Sequence, residues 1–326
     1  MRRRSVTGVI AGLAAPALLL GGCAAAAERP AAAGAAPLIV HGATSVVELG
    51  PVHLAVETLY PAGSKVAPGG AATLGRAVDP PDVATNAETQ ILRESIREPD
   101  LRIIMTVAEG LYRIVARKSA GITTVADLRG KRIATLTQTS AGYFLSRMLA
   151  GAGMSIDDVT IRQIHPLPGM VAALERGEVD AVAIWEPHSE NAVRALGGDV
   201  VEFSGKGIYR ELFNLNSTAT VLADPMKRAR VVELVGAIID ATAATNRNPT
   251  RAQQLVADAA GFTVEEVAAS WRHHAFVAAF PDDMLAVLVE EEAWLAGLAG
   301  RTPRSREELA RLIDRSVYDE AMRLRR

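Results

Sequence analysis

The segment TQTSAGYFLSRML, residues 137–149, sets two hydroxyl side chains, Thr139 and Ser140, directly ahead of apolar residues at helical spacing. The first N–H groups of a helix lack internal partners and carry the positive end of its dipole. A strand-to-helix loop of this kind can therefore hold an anion, with threonine and serine adding side-chain donors and Ala141 lying in the same helix start. The same residues can instead do no more than cap the helix, and the local sequence leaves both meanings open. A second stretch, GEVDAVAIWEPH over 177–188, runs an apolar strand into Trp185, Glu186, Pro187 and His188. The flat indole can lie along a small organic ligand, and Glu186 can accept from an ammonium or a hydroxyl. Here a core tryptophan and a capping glutamate are the alternative, with Pro187 placed in the first turn of the next helix.

Other chemistries find no support. His273 and His274 are adjacent, so on a helix they diverge, and no HxxxH or HExxH spacing occurs. The single cysteine, Cys23, leaves no structural zinc set and no internal disulfide. There is no G-x-S-x-G elbow. The glycine-rich APGGAATLG at 67–75 lacks the order of a phosphate loop; at most, Gly70 and its neighbours bring backbone N–H groups near a ligand. No metal and no cofactor are expected. Glu290, Glu291 and Glu292 read as a solvated helix face, and Trp271 and Trp294 as core residues of amphipathic helices.

These residues need a scaffold, and 326 residues with 49% apolar content suffice for about two domains, each with its own core. A formal net charge of −2 argues against a nucleic-acid surface. Short β-rich runs alternate with helical patterns from 38 to 204, the mark of a mostly parallel α/β sheet. Strands are predicted at 38–43, 82–86, 101–107, 112–118, 132–136, 159–164, 180–185 and 199–204. Ser45 with Glu48, Ser155 with Asp158, Thr263 with Glu266 and Ser305 with Glu308 have capping-box spacing. Asp224 and Pro225 open a long helix, and the last hundred residues are expected to be mostly helical. Residues 73–89 and 173–189 echo one another, each running from a helix end through a turn into a strand that ends in possible ligand contacts. These are Asn86 and Thr89 in one unit, and Trp185 and Glu186 in the other. Ligands gather at the carboxyl ends of strands in open α/β sheets, so two such units predict two lobes facing one cleft.

The first 23 residues, MRRRSVTGVIAGLAAPALLLGGC, have the basic start and short apolar run of an export signal. Their end resembles a bacterial lipobox, which would make Cys23 the lipidated residue. Residues 24–37, rich in alanine, glycine and proline, read as a flexible tether. No later run approaches the ~20 apolar residues a bilayer span requires.

An ordered set of short motifs carries a family resemblance: Gly121-Ile122, Asp127-Leu128-Arg129-Gly130-Lys131-Arg132, Thr139-Ser140-Ala141, Gly177-Glu178-Val179-Asp180-Ala181 and Trp185-Glu186-Pro187. Residues 111–188 resemble the substrate-binding proteins of ABC importers for aliphatic sulfonates, taurine, nitrate and thiamine precursors. The resemblance implies an α/β, two-lobed fold of the periplasmic-binding-protein type II. Lobe 1 would comprise 38–110 and 210–326, and lobe 2 would comprise 111–209, with a hinge near 108–116 and 204–216. It further implies a monomer that clasps a small anionic or zwitterionic ligand and delivers it to a permease with its ATPase, from the outer face of the cell membrane. Ligand contacts would come from Ser45, Gly70, Asn86 and Thr89 in the first lobe. In the second they would come from Thr139, Ser140, Ala141, Met170, Trp185 and Glu186. The first-lobe segment 59–75 is shorter and more irregular than that family's pattern. Enzymes on the same fold, such as menaquinone-pathway dehydratases or a pyrimidine synthase, and a sensor without transport, are the alternatives. The synthase would need a histidine and cysteine cluster that this chain lacks.

Overall fold

The computed structural model describes residues 38–43, 45–60, 65–76 and 78–326, so Cys23 and the tether lie outside the described residues. The chain builds β1 (Val40–Gly42), α1 (Gly50–Leu59), β2 (Ala67–Pro68), β3 (Val83–Ala87), α2 (Glu88–Glu94) and the long β4 (Leu101–Gly110). It then crosses through Leu111 and Tyr112 into β5 (Arg113–Arg117), β6 (Arg132–Ala134), α3 (Ser140–Gly151), β7 (Thr160–Arg162), α4 (Pro168–Glu175), β8 (Ala181–Ile184), α5 (His188–Leu196) and β9 (Val200–Ser204). A second crossing over 205–210 leads back to β10 (Glu211–Thr218), α6 (Ala219–Ala223), α7 (Pro225–Arg247), α8 (Thr250–Ala260) and α9 (Val264–Ser270). The chain closes with β11 (His274–Ala279), α10 (Met284–Leu298), α11 (Arg306–Ala310) and α12 (Ser316–Leu324).

Two sheets result, with strand orders β11-β4-β10-β3-β1-β2 and β7-β6-β8-β5-β9. They are mixed rather than mostly parallel. β1 pairs in parallel with β2 and β3, and β6 with β7 and β8. The strands flanking the crossings run against their neighbours, as β10 does against β3 and β4, and β5 against β8 and β9. Each sheet has its own core. Val47, Leu49, Val52, Ile104 and Leu215 meet Val231, Leu234 and Ile238 of α7 in the first. Ile114, Ile133, Phe144, Leu149, Leu174 and Val182 fill the second. Trp185 packs against both cores.

Local rules held at most helix starts. Ser155 with Asp158, Thr263 with Glu266 and Ser305 with Glu308 form reciprocal caps, and the Asp224 carboxylate accepts from Met226 and Lys227 ahead of Pro225. Ser45 and Glu48 are the exception. A single 3₁₀ turn at Val47–Leu49 starts from Val46 without a side-chain cap, and Glu48 is buried instead. Pro187 precedes α5 as its N-cap residue rather than entering its first turn. The solvated-face reading of Glu290 to Glu292 fails for two of the three, because Glu291 and Glu292 are fully buried.

Three strands went unforeseen in sequence, the two-residue β2 together with β10 and β11. β10 reads ELFNLNST, too polar for a core strand by composition, yet every residue in it is buried. Several of its polar groups find partners alongside, as most buried polar groups do, while Asn214 Nδ2 and Asn216 Oδ1 are left without one. The Thr106 hydroxyl donates to Asn214 Oδ1 (2.8 Å), Asn216 Nδ2 to the Ala84 carbonyl (3.1 Å), and Ser217 Oγ to the Asp82 carbonyl (2.7 Å). No helix among the described residues is long and apolar enough to cross a membrane.

Candidate ligand site between the lobes

The start of α3 is set by Gly142, where a Cβ would stand 2.3 Å from the Thr137 carbonyl oxygen. Only glycine lets the helix settle onto that loop. Thr139 occupies the N-cap position in extended backbone, but its hydroxyl turns away and donates to the Leu136 carbonyl (2.8 Å), leaving the helix without a side-chain cap. Ser140 Oγ lies 3.0 Å from the Tyr112 hydroxyl, which in turn donates to Glu211 Oε1 at 2.9 Å. Arg93 of α2 reaches across from the first lobe and donates to the Gln138 carbonyl (2.9 Å), bringing a cation to this loop. Of the two meanings open for Thr139 and Ser140, a side-chain cap is not the geometry adopted.

The remaining expected contacts are spread over both lobes. Gly70 adjoins Asn86, whose Nδ2 would sit 2.7 Å from a Cβ on Gly70, and Asn86 Oδ1 accepts from the Ala87 N–H. Thr89 is fully buried and its hydroxyl meets no hydrogen-bond partner. The Trp185 indole N–H is likewise buried without one. Glu186 is engaged inside the protein: Arg113 lies 2.9 Å from Oε1, while Oε2 accepts from the Glu190 N–H. Burial pushes its carboxyl up and the Arg113 guanidinium pulls it partly back. Ser45 is exposed, and Met170 is buried in the second core. The structure thus groups Thr139 with Ser140 and Ala141, Gly70 with Asn86, and Trp185 with Glu186.

Sequence reasoning missed a set of buried acids beside Ser140. Glu48, Glu88, Glu211 and Glu291 are at most 3% exposed. Glu48 lies 3.2 Å from His274. Burial alone would raise the Glu48 carboxyl, but the imidazolium holds it below its ordinary value, and His274 is raised in return. Glu211 is pushed well up by burial, then by the charges of Glu48 and Glu88. Tyr209 donates to Glu88 Oε1 (2.7 Å), and the Leu212 N–H donates to Oε2 (2.8 Å). Burial and the nearby Glu88 push Glu291 well up. Tyr112 and Tyr209, one from each crossing, meet edge to face at 5.5 Å, so both crossings are tied to these acids. Glu48 between Val47 and Leu49, and Glu211 ahead of Leu212 and Phe213, were the signals the sequence held. Among the described residues, no group of three or more His, Cys, Asp or Glu side chains is arranged to hold a metal ion.

A cavity of about 610 Å³ opens at the crossings. Gly110, Tyr143, Tyr209, His274, Val287 and Glu291 belong to its lining, and none of the ten expected ligand contacts does.

Two sheets with separate cores, joined by two crossings and bridged by Trp185, define the periplasmic-binding-protein-like architecture. The chain belongs to the NMT1/THI5-like family, whose model matches residues 76–252, over half of its length. A protein of Escherichia coli (strain K12), provisionally named an aliphatic sulfonates-binding protein, is 34% identical over 89 residues. That segment covers 27% of this chain and only 28% of the relative. The fold is also that of the periplasmic aliphatic sulphonate binding protein SsuA from Escherichia coli (TM-score 0.68, 19% identity, 84% of this chain and 92% of that one). The desulfurization enzyme DSZB shares it as well (TM-score 0.61, 15% identity, 89% of this chain and 100% of that one).

Proposed function

We propose that this protein is an exported, lipid-anchored solute-binding protein that captures a small anionic or zwitterionic organic ligand between its lobes and delivers it to an ABC importer. One observation carries the reading: α3 begins beside Ser140 with no side-chain cap, so its first N–H groups are available to an acidic group that enters the cleft. The two crossings supply a hinge, and Trp185 touches both cores where a closing lobe would press on a ligand. Closure around a ligand works by its differential affinity for the closed state. Membership of the family and the relatives named for sulfonate binding support transport over catalysis. The lipobox-like end at Cys23 supports anchoring at the outer face of the cell membrane. The fold shared with DSZB keeps an enzymatic reading as the alternative, which would require turnover of the bound ligand.

Calorimetric titration with ethanesulfonate, taurine, nitrate and an aminopyrimidine tests the proposal. One of them is expected to bind without being consumed. The double variant Thr139→Ala with Ser140→Ala should bind it at least about tenfold more weakly, about 1.4 kcal/mol, with an unchanged melting curve. Unchanged affinity removes the α3 start from the site, and product formation from the bound compound overturns the transport reading.

A further inference from the structure

We propose that the cavity at the crossings is a binding site of its own, for a small organic ammonium held by Glu291. Four acidic residues line this cavity: Glu109, Asp283, Glu290 and Glu291. Three are already paired with arginine. Arg210 holds both Glu109 (2.9 Å) and Asp283 (2.6 Å), and Arg147 holds Glu290 (2.9 Å). Glu291 differs from them in every respect. It is fully buried, no N–H or hydroxyl donor reaches either carboxyl oxygen, and no ion pair reaches it among the described residues. Its neighbour Glu88 is a second acid that already accepts from Tyr209 and Leu212, so the two carboxyls can share a proton but Glu88 brings no cation. Nor can His274, which is committed to Glu48.

A buried carboxyl left without donors costs stability unless something supplies them. A protonated amine brings N–H donors, and its charge favours the ionised carboxyl that burial and Glu88 otherwise disfavour. The walls suit the rest of such a molecule. Tyr143 and Tyr209 meet edge to face at 5.6 Å, and Tyr143 already carries the Arg147 guanidinium over its ring at 5.7 Å. These aromatic faces attract cations. Val287 adds apolar wall, and about 610 Å³ is room for a ring-sized ligand. A divalent metal would ask for more oxygen ligands than Glu291 and its neighbours offer. The site touches both crossings through Gly110 and Tyr209, so its occupant would bear directly on the hinge.

Benzylamine and its neutral counterpart benzyl alcohol differ in the group that Glu291 is proposed to read. In calorimetric titrations of the wild-type protein at neutral pH, benzylamine is expected to bind at least tenfold more tightly than the alcohol. Glu291→Gln should abolish that preference. Ala286→Trp, a change at an exposed residue of the cavity rim, should block benzylamine and keep the fold, which covers the case in which the buried Glu291 variant does not fold. Equal affinity for the two probes, no binding of benzylamine, or binding indifferent to Glu291→Gln or to Ala286→Trp would each overturn the proposal.

Discussion

Glu292 shows how a single side chain can defeat a reading by composition. Three consecutive glutamates cannot share one helix face, because successive residues turn by about 100°. Glu290 points outward to Arg147, and Glu292 is fully buried between Arg301 (2.6 Å) and Arg304 (2.9 Å). Arg304 also donates to Ser95 Oγ and the Leu92 carbonyl, so the carboxylate fastens the segment after α10 onto α2. Burial alone would raise this carboxyl, but the two guanidiniums outweigh it and hold it at about 2, against an ordinary 4.5. A depressed native value means that the stabilisation is complete above about 4.5 and disappears as the pH falls towards about 2. Glu292→Gln is expected to cost about 3 kcal/mol at neutral pH in urea unfolding. The gap between wild type and variant should close through that acid window; a gap independent of pH would show that the ion pairs are not its source.

At the scale of elements, helix starts divide into those settled by neighbours in sequence and those settled by the fold. Thr263 and Glu266 exchange hydrogen bonds of 3.2 and 2.8 Å across the first turn of α9, as their spacing required. Thr263→Ala should cost about 1 kcal/mol in thermal or urea unfolding, and a neutral result would mean that packing alone holds α9. Ser45 and Glu48 have the same spacing and no cap, because Glu48 finds a stronger partner in the His274 imidazolium. β10 makes the same point for strands. Its asparagines, serine and threonine argue against burial until Thr106, Ala84 and Asp82 stand beside them. The apolar strands at 101–110 and 181–184 were legible because their burial needs no particular partner, only removal from water.

Across the whole molecule, hydrogen bonds to a buried acid link the two sheets at the crossings. Glu211 opens β10, accepts from Tyr112, and through Tyr112 reaches Ser140 in the other lobe. Its native carboxyl is raised by burial and by Glu48, so the protonated form stabilises the fold. A raised native value gives stability that is complete below the ordinary carboxylate range and is lost as the pH climbs to the native value. The melting temperature of the wild type is therefore expected to decline as the pH rises above the ordinary carboxylate value, and Glu211→Gln, which cannot ionise, should flatten that decline. Parallel declines in both proteins would place the titrating group elsewhere.

The sequence by itself determined the alternation of strand and helix, most of the helix starts, the Trp185 and Thr139 to Ala141 segments as candidates, and the family resemblance. All of these rest on residues within a turn or a strand of one another, where spacing alone dictates geometry. Only the tertiary structure decided that Thr139 does not cap its helix, that Glu186 belongs to Arg113, and that the hinge is lined with acids. Tyr112 meets Glu211 across 99 residues and Tyr209 meets Glu88 across 121. The charge state of a buried group is set by whichever atoms replace its water, and those atoms come from parts of the chain that only folding brings together.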